Sequence, residues 1–271
     1  MIPESFIDEW AQTHPWSSVA MVEQDLLISR AIVAIFSDPF LQRELAFRGG
    51  TALHKLYLAP QPRYSEDIDL VQISPGPIRQ LMDHLRDALS FLGEPRTKST
   101  PMSNKLIYRI ESEDPLVSTI RIKIEINCRE HFHVLPRSFY PFSVENPWFS
   151  ASCAVTTYRA AELLGTKLRA LYQRKKGRDL FDLYTALHRL DVDIAALLAC
   201  FNRYMIFSAG YVPTTKEFTL NMEEKLQSQD FLADTRPILL PNIDFAPRAA
   251  YDLVHETLIR HIDTYRGSSA E

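Results

Sequence analysis

The reading of residues 49–73, GGTALHKLYLAPQPRYSEDIDLVQI, decides the fold. The stretch opens on Gly49 and Gly50, followed by Thr51. Glycines let main-chain N–H groups approach an anion without side-chain obstruction, and a hydroxyl at a helix start adds a hydrogen bond. ALHKLYL then has helical spacing for about two turns before Pro60 and Pro62 interrupt it. Asp67–Ile73 reads as a strand from its length and β-branching, and Ser74-Pro75-Gly76 ends it. Side chains alternate along a strand, so Asp67 and Asp69 share one face and Ile68 and Leu70 take the other.

Two carboxylates one residue apart repel each other unless positive charge sits between them. A divalent cation supplies that charge, and hard oxygen ligands suit magnesium or manganese. Taken alone, Asp67-x-Asp69 also fits a solvated acidic strand end, and Gly49-Gly50-Thr51 also fits a plain turn before a helix. Together they supply both halves of a triphosphate–metal site. The turn is not a Walker A loop, because no Gly-Lys-Ser/Thr follows it.

Upstream, residues 2–46 read as helical, with Ser17 and Ser18 as N-caps and a break at Asp38-Pro39. Downstream, a helix is expected over 77–92 and a strand over 106–110. The clearest strand is VSTIRIKIEIN, residues 117–127. Its isoleucines (Ile120, Ile122, Ile124 and Ile126) point one way, and Arg121, Lys123, Glu125 and Asn127 point the other. AVTTY, 154–158, reads as a last short strand. Beyond it the pattern turns helical, with helices expected at 159–173, 178–189, 193–207, 214–228 and 246–265. The expected fold class is α/β (α+β): a mixed-sheet domain over 1–158 with a helical lead-in, then a helical domain over 159–271.

Glu125 lies on the charged face of its strand. If that strand neighbours Asp67–Ile73, three carboxylates meet, and such a trio can hold two metals about 3.5–4 Å apart. A surface salt bridge to Lys123 or Arg121 is the other reading. Lys167 and Arg174 lie seven residues apart and share a helix face, with Lys175, Lys176 and Arg178 at the helix end. Such a cluster suits a triphosphate or an RNA backbone. Asp179 and Asp182 share a face of the next helix, and Arg178-Asp179 also reads as a capping ion pair. His54 and Lys55 follow the turn, as such pairs do on many surface helices. Arg63, Tyr57 and Tyr64 fit base recognition or, more commonly for the tyrosines, core packing. His131-Phe132-His133 lacks an evident third ligand, which argues against zinc.

The chain has 271 residues, 46% of them apolar and 24% charged, which supports a sizeable core. Its net charge of -4 excludes a generally basic nucleic-acid binder, so nucleic acid would need a local basic patch. Cys128, Cys153 and Cys200 are scattered without a C-x-x-C pair, which argues against a disulfide framework and fits a reducing cytoplasm. The opening MIPESFIDEW does not read as a signal peptide, and no apolar run reaches the ~18 residues of a membrane span.

Three blocks in order carry a family resemblance: GGTALHKLY, RYSEDIDL and, at 162–184, ELLGTKLRALYQRKKGRDLFDLY. Over roughly residues 40–190 the chain resembles the AbiEii/AbiGii toxin family, the MenT-like nucleotidyltransferase toxins of the DNA polymerase β-like superfamily. The family usually has Phe where this chain has Tyr64, which keeps the ring. Many superfamily members have Gly-Ser at Gly50-Thr51, and Asp as the third carboxylate where this chain has Glu125.

The resemblance implies a polymerase β-like core and transfer of a nucleoside monophosphate from an NTP to an acceptor hydroxyl, with release of pyrophosphate. It implies that Lys167 contacts the nucleotide phosphates and that Asp179 completes the site, beside the residue reading of Asp67 and Asp69 as metal ligands, Glu125 as third ligand or base, and Gly49, Gly50 and Thr51 as holding the triphosphate. It also implies a toxin–antitoxin or phage-defence role, an AbiEi-like antitoxin encoded nearby, and the 3′ end of tRNA as acceptor. Two other outcomes stay open at this stage: a GTP-binding protein acting by sequestration, and a small-molecule nucleotidyltransferase.

Overall fold

Residues 2–46 form three helices and open a strand in the computed structural model, which describes residues 2–266. The helices are α1 (Glu4–Ala11), α2 (Val19–Ser37) and α3 (Pro39–Glu44). Ser18 caps α2 by accepting from Met21 N–H at 3.2 Å. Asp38 caps α3 by accepting from Phe40 N–H at 2.7 Å and Leu41 N–H at 3.0 Å, with Pro39 in the first turn. Leu45–Arg48 is strand β1, not the end of a helix. Four residues are too few to show a period, and tertiary pairing on both sides decides their state.

Gly49–Ala52 forms the single-turn helix α4, continued by a π-helical turn at Leu53–Tyr57. Then come β2 (Asp67–Gln72), α5 (Arg79–Ala88), β3 (Arg96–Ser99), β4 (Ser103–Glu111), β5 (Thr119–Asn127), β6 (Ser138–Asn146) and β7 (Phe149–Thr157). The seven strands make one mixed sheet, ordered β3-β4-β5-β2-β1-β7-β6. β2 and β5 are parallel neighbours, and Asp67 pairs with Lys123 and Asp69 with Glu125. β3 and β6, which the sequence pattern does not reveal, are the sheet edges. β3 is exposed at all four positions, and β6 carries Pro141, a residue tolerated at edges because its missing N–H can face solvent.

One face of the sheet is apolar. Ile68, Leu70, Leu106, Tyr108, Ile122, Ile124 and Ile126 are fully buried there, and α2 packs on β2, β5 and β7. Burial of such side chains contributes roughly 1.5–3 kcal/mol each. The other face of β4 and β5 carries Lys105, Arg109, Arg121, Lys123 and Glu125.

These elements belong to a compact unit of Met1–His133 and Arg137–Tyr158, and a second unit comprises Val134–Pro136 and Arg159–Glu271. Its helices are α6 (Ala160–Gln173), α7 (Gly177–Arg189), α8 (Ile194–Ala209), α9 (Thr215–Leu226), α10 (Gln229–Ala233), α11 (Pro247–Thr257) and α12 (Ile262–Tyr265). Gly165 lets α6 approach α8, because a Cβ there would lie 2.7 Å from Cys200 Cβ and 2.9 Å from Leu197 O. Buried Glu162 accepts from Val134 N–H at 2.8 Å, Leu135 N–H at 2.9 Å and the Tyr204 hydroxyl at 2.9 Å. That carboxylate ties residues 134–136 to the helices.

Candidate active site

β1 ends at Arg48 opposite Asp69 of β2, so the Gly49-Gly50 turn lies beside the second aspartate. Gly49 has φ +82°, and a Cβ on it would lie 2.3 Å from Asp69 Oδ2. Only glycine meets both demands. Thr51 is buried, its hydroxyl 2.8 Å from the Ser65 hydroxyl and donating to the Asp67 carbonyl. The side chain therefore fastens the turn to the start of β2. In this arrangement its hydroxyl is already engaged by protein, whereas Gly49 and Gly50 keep part of their surface.

Asp67 and Asp69 share the polar face, as alternation requires. Burial, then the charge of Asp67, raises the Asp69 carboxyl above its ordinary value, against the opposing pull of Arg48 and Lys123. Lys123 Nζ lies 2.9 Å from Asp67 Oδ2 and 3.5 Å from Glu125 Oε2, and Lys105 Nζ lies 2.9 Å from Glu125 Oε1. Burial alone would raise the Glu125 carboxyl, but hydrogen bonds from Lys105 and Ser103 bring it below its usual range. The structure thus joins Asp67 and Asp69 directly and sets Glu125 one strand away in the hands of two lysines. Among the described residues, no three His, Cys, Asp or Glu side chains converge as a ready-made metal cage.

The donor chemistry nonetheless fits a divalent cation at Asp67 and Asp69. An ammonium already bridges Asp67 and Glu125, and burial and the charge of Asp67 still outweigh the pull of Arg48 and Lys123 on Asp69. His131 Nδ1 lies 2.8 Å from the Gln72 carbonyl, a main-chain contact that accounts for the ring.

Sequence reading missed Arg48 and Glu130. They form a tight ion pair, largely buried, and Arg48 adds positive potential at Asp69. An arginine immediately before two glycines was the available signal. Lys55 does not face a ligand: it is buried, with Nζ 2.8 Å from Asp25 Oδ1 and 3.0 Å from both Ser29 Oγ and Gln61 Oε1. Tyr64 is core, edge-on to Trp16.

Lys167 and Asp179 come together in the helical unit. Lys167 Nζ lies 3.2 Å from Asp179 Oδ1 and 2.7 Å from Asp182 Oδ2. Arg174 grips Asp179 with two hydrogen bonds, of 2.6 and 2.7 Å. Burial opposes ionisation of Asp179, but Lys167 and Arg174 outweigh it and hold the carboxyl below its ordinary value. Arg178 pairs with Asp234 at 3.3 Å, so it is not the partner of Asp179.

A mixed sheet with a glycine turn beside paired aspartates on the next strand is compatible with nucleotidyl transfer, and solved structures share the fold. The chain is similar to MenT4, a nucleotidyltransferase toxin from Mycobacterium tuberculosis H37Rv, at TM-score 0.56 and 13% identity over 100% of both chains. It is also similar to a protein from H. pylori assigned as a nucleotidyltransferase, at TM-score 0.50 and 19% identity over 90% of this chain and 96% of that one. None of the curated proteins matches it in sequence. The family profile described as "Nucleotidyl transferase AbiEii toxin, Type IV TA system" matches residues 30–255, and the chain belongs to that family. Among the described residues, no helix is long and apolar enough to cross a membrane.

Proposed function

We propose that this protein transfers a nucleoside monophosphate from an NTP to an acceptor hydroxyl, with pyrophosphate leaving, and that the acceptor is the 3′ end of tRNA. The observation that carries the reading is the approach of Gly49 to Asp69, which puts a glycine turn beside paired carboxylates. In this reading Gly49 and Gly50 present main-chain N–H groups to the triphosphate, and Thr51 locks the turn onto β2. Asp67 and Asp69 would hold magnesium or manganese, which when bound offsets triphosphate charge and makes the acceptor hydroxyl more acidic. Glu125, kept ionised by its lysines, takes the acceptor's proton or serves as a third ligand. Positioning and electrostatics carry most of the rate, as in phosphoryl transfer generally. Lys167 and Asp179 are assigned to the triphosphate and to completion of the site by family resemblance, beside their structural pairing.

The family's description as the toxin of a type IV toxin–antitoxin system supports a toxin paired with an antitoxin; we propose that the antitoxin is AbiEi-like and encoded nearby, and that the pair acts in phage defence. Purified protein is incubated with each labelled NTP, magnesium and total RNA. Label is expected in the tRNA fraction, and no label in any acceptor under any NTP overturns the reading. Asp69→Ala should relieve growth arrest in cells.

A further inference from the structure

The register of β3, β4 and β5 assembles a basic surface that the sequence disperses. Lys98 pairs with Lys105 and Arg96 with Ile107 across β3–β4, and Ile107 pairs with Lys123 and Arg109 with Arg121 across β4–β5. Paired residues point to the same side of a sheet. Arg96, Lys98, Lys105, Arg109, Arg121 and Lys123 therefore share one face, against only Glu111 and Glu125 on the same side of these strands. Thr97, between Arg96 and Lys98, is 3.3 Å from Arg86 of α5 on the opposite, helix-covered side, which independently fixes the orientation. Arg96, Lys98, Arg109 and Arg121 are exposed, and among the described residues they form no ion pair with a carboxylate. In a chain of net charge -4 this is a local concentration of positive charge.

The patch runs into the active carboxylates. Lys123 reaches Asp67, and the lining of a cavity of about 460 Å³ beside them includes Gln24, Glu66, Asp67, Thr119, Arg121 and Lys123. Charges two residues apart on a strand are spaced about 7 Å, and neighbouring strands about 5 Å. That grid offers several phosphate contacts, and no aromatic side chain for base stacking lies on this face of the three strands.

We propose that the open face of β3–β5 is the track for the phosphodiester backbone of a single-stranded RNA acceptor, with its terminal nucleoside entering the cavity beside Asp67. The inference rests on the nucleotidyl-transfer reading for its acceptor chemistry, but it can be tested by binding alone.

The test variant is R96S/K98S/R109S/R121S in the full chain, which changes exposed side chains, of which Arg121 also lines the cavity beside Asp67. Anisotropy of a labelled short single-stranded RNA is measured over a salt series, with thermal melting as the fold control. At near-physiological salt, binding is expected to weaken at least about tenfold. The slope of log K against log salt should fall by about 3, since each lost phosphate contact removes about 0.7 for single strands. Unchanged affinity and slope overturn the proposal, as does normal labelling of RNA by the variant, which would leave the transfer reading intact. If the unaltered protein binds RNA but labels none, and the variant loses that binding, the track stands and the transfer reading falls. If poly-glutamate binding falls in the variant while RNA binding does not, the face belongs to an acidic protein and the proposal fails. If the variant melts early, single replacements at Arg109 and Arg121 must each lower affinity with unchanged melting, or the proposal fails.

Discussion

Gly49 shows how one residue can be fixed by backbone and site at once. Its φ of +82° would cost an L-residue about 1–2 kcal/mol, and the 2.3 Å approach to Asp69 adds a steric clash with that carboxylate. Gly49→Ala should lower the melting temperature and abolish nucleotidyl transfer; an alanine variant with normal melting and activity would contradict the packing described. Asp69 behaves in the opposite sense. Its raised carboxyl value marks a charge that burial and Asp67 both disfavour. Asp69→Asn should therefore cut transfer by at least about 100-fold while leaving stability unchanged or slightly higher, a trade expected of functional charges. A melt that falls as far as the activity would make Asp69 structural. Both glycines and both aspartates were legible in the sequence, because turn chemistry and strand alternation are local. The fate of Thr51 and Lys55 was not, because only tertiary packing puts the Asp67 carbonyl and the Asp25 carboxylate within their reach.

At the scale of elements, the α6–α7 pair is organised around buried charge. Lys167 lies between Asp179 and Asp182, and Arg174 clasps Asp179 from the end of α6. Removing one partner of a buried ion pair typically costs about 3–5 kcal/mol. Lys167→Met should destabilise the helical unit on that order in a denaturant titration, and a change under about 1 kcal/mol would show that the cluster is loosely packed. Asp179 also predicts an acid response. Its folded carboxyl sits below the unfolded value, so its stabilisation is complete above the unfolded value and is lost as pH falls through the folded one. Asp179→Asn should flatten the fall of stability on the acid side, and an identical pH profile in both proteins would refute the assignment.

The same scale shows where pattern reading stops. The long helices and β5 follow from sustained periodicity. β1 is too short, β3 is exposed throughout, and β6 carries a proline. β1 and β3 thus show none of the alternation that marks a half-buried strand, and in β6, whose burial does alternate, Pro141 and the exposed Phe139 mask it in the sequence; pairing with a neighbour supplies what propensity does not.

For the molecule as a whole, the sequence offered Lys123 as a partner of Glu125 but not Lys105, because strand order and register are non-local. That arrangement leads to a last prediction. If the lysines stand in for cations, the sheet unit is stabilised without ligand, and nucleotide binding must compete with Lys123 for Asp67. A ligand that binds only the folded state stabilises it by about 2.7 kcal/mol at 100 times its Kd. NTP with magnesium should therefore raise the melting temperature more than either alone. Lys123→Met should lower the melting temperature of the ligand-free protein, because it leaves Asp67 facing Asp69 with its nearest cation removed. The same variant should show a larger magnesium-dependent rise, since the ion no longer displaces an ammonium. Equal magnesium-dependent shifts in both proteins would mean that Lys123 and the cation do not share a place, and the carboxylate pair would then have to bind metal with the lysine still seated.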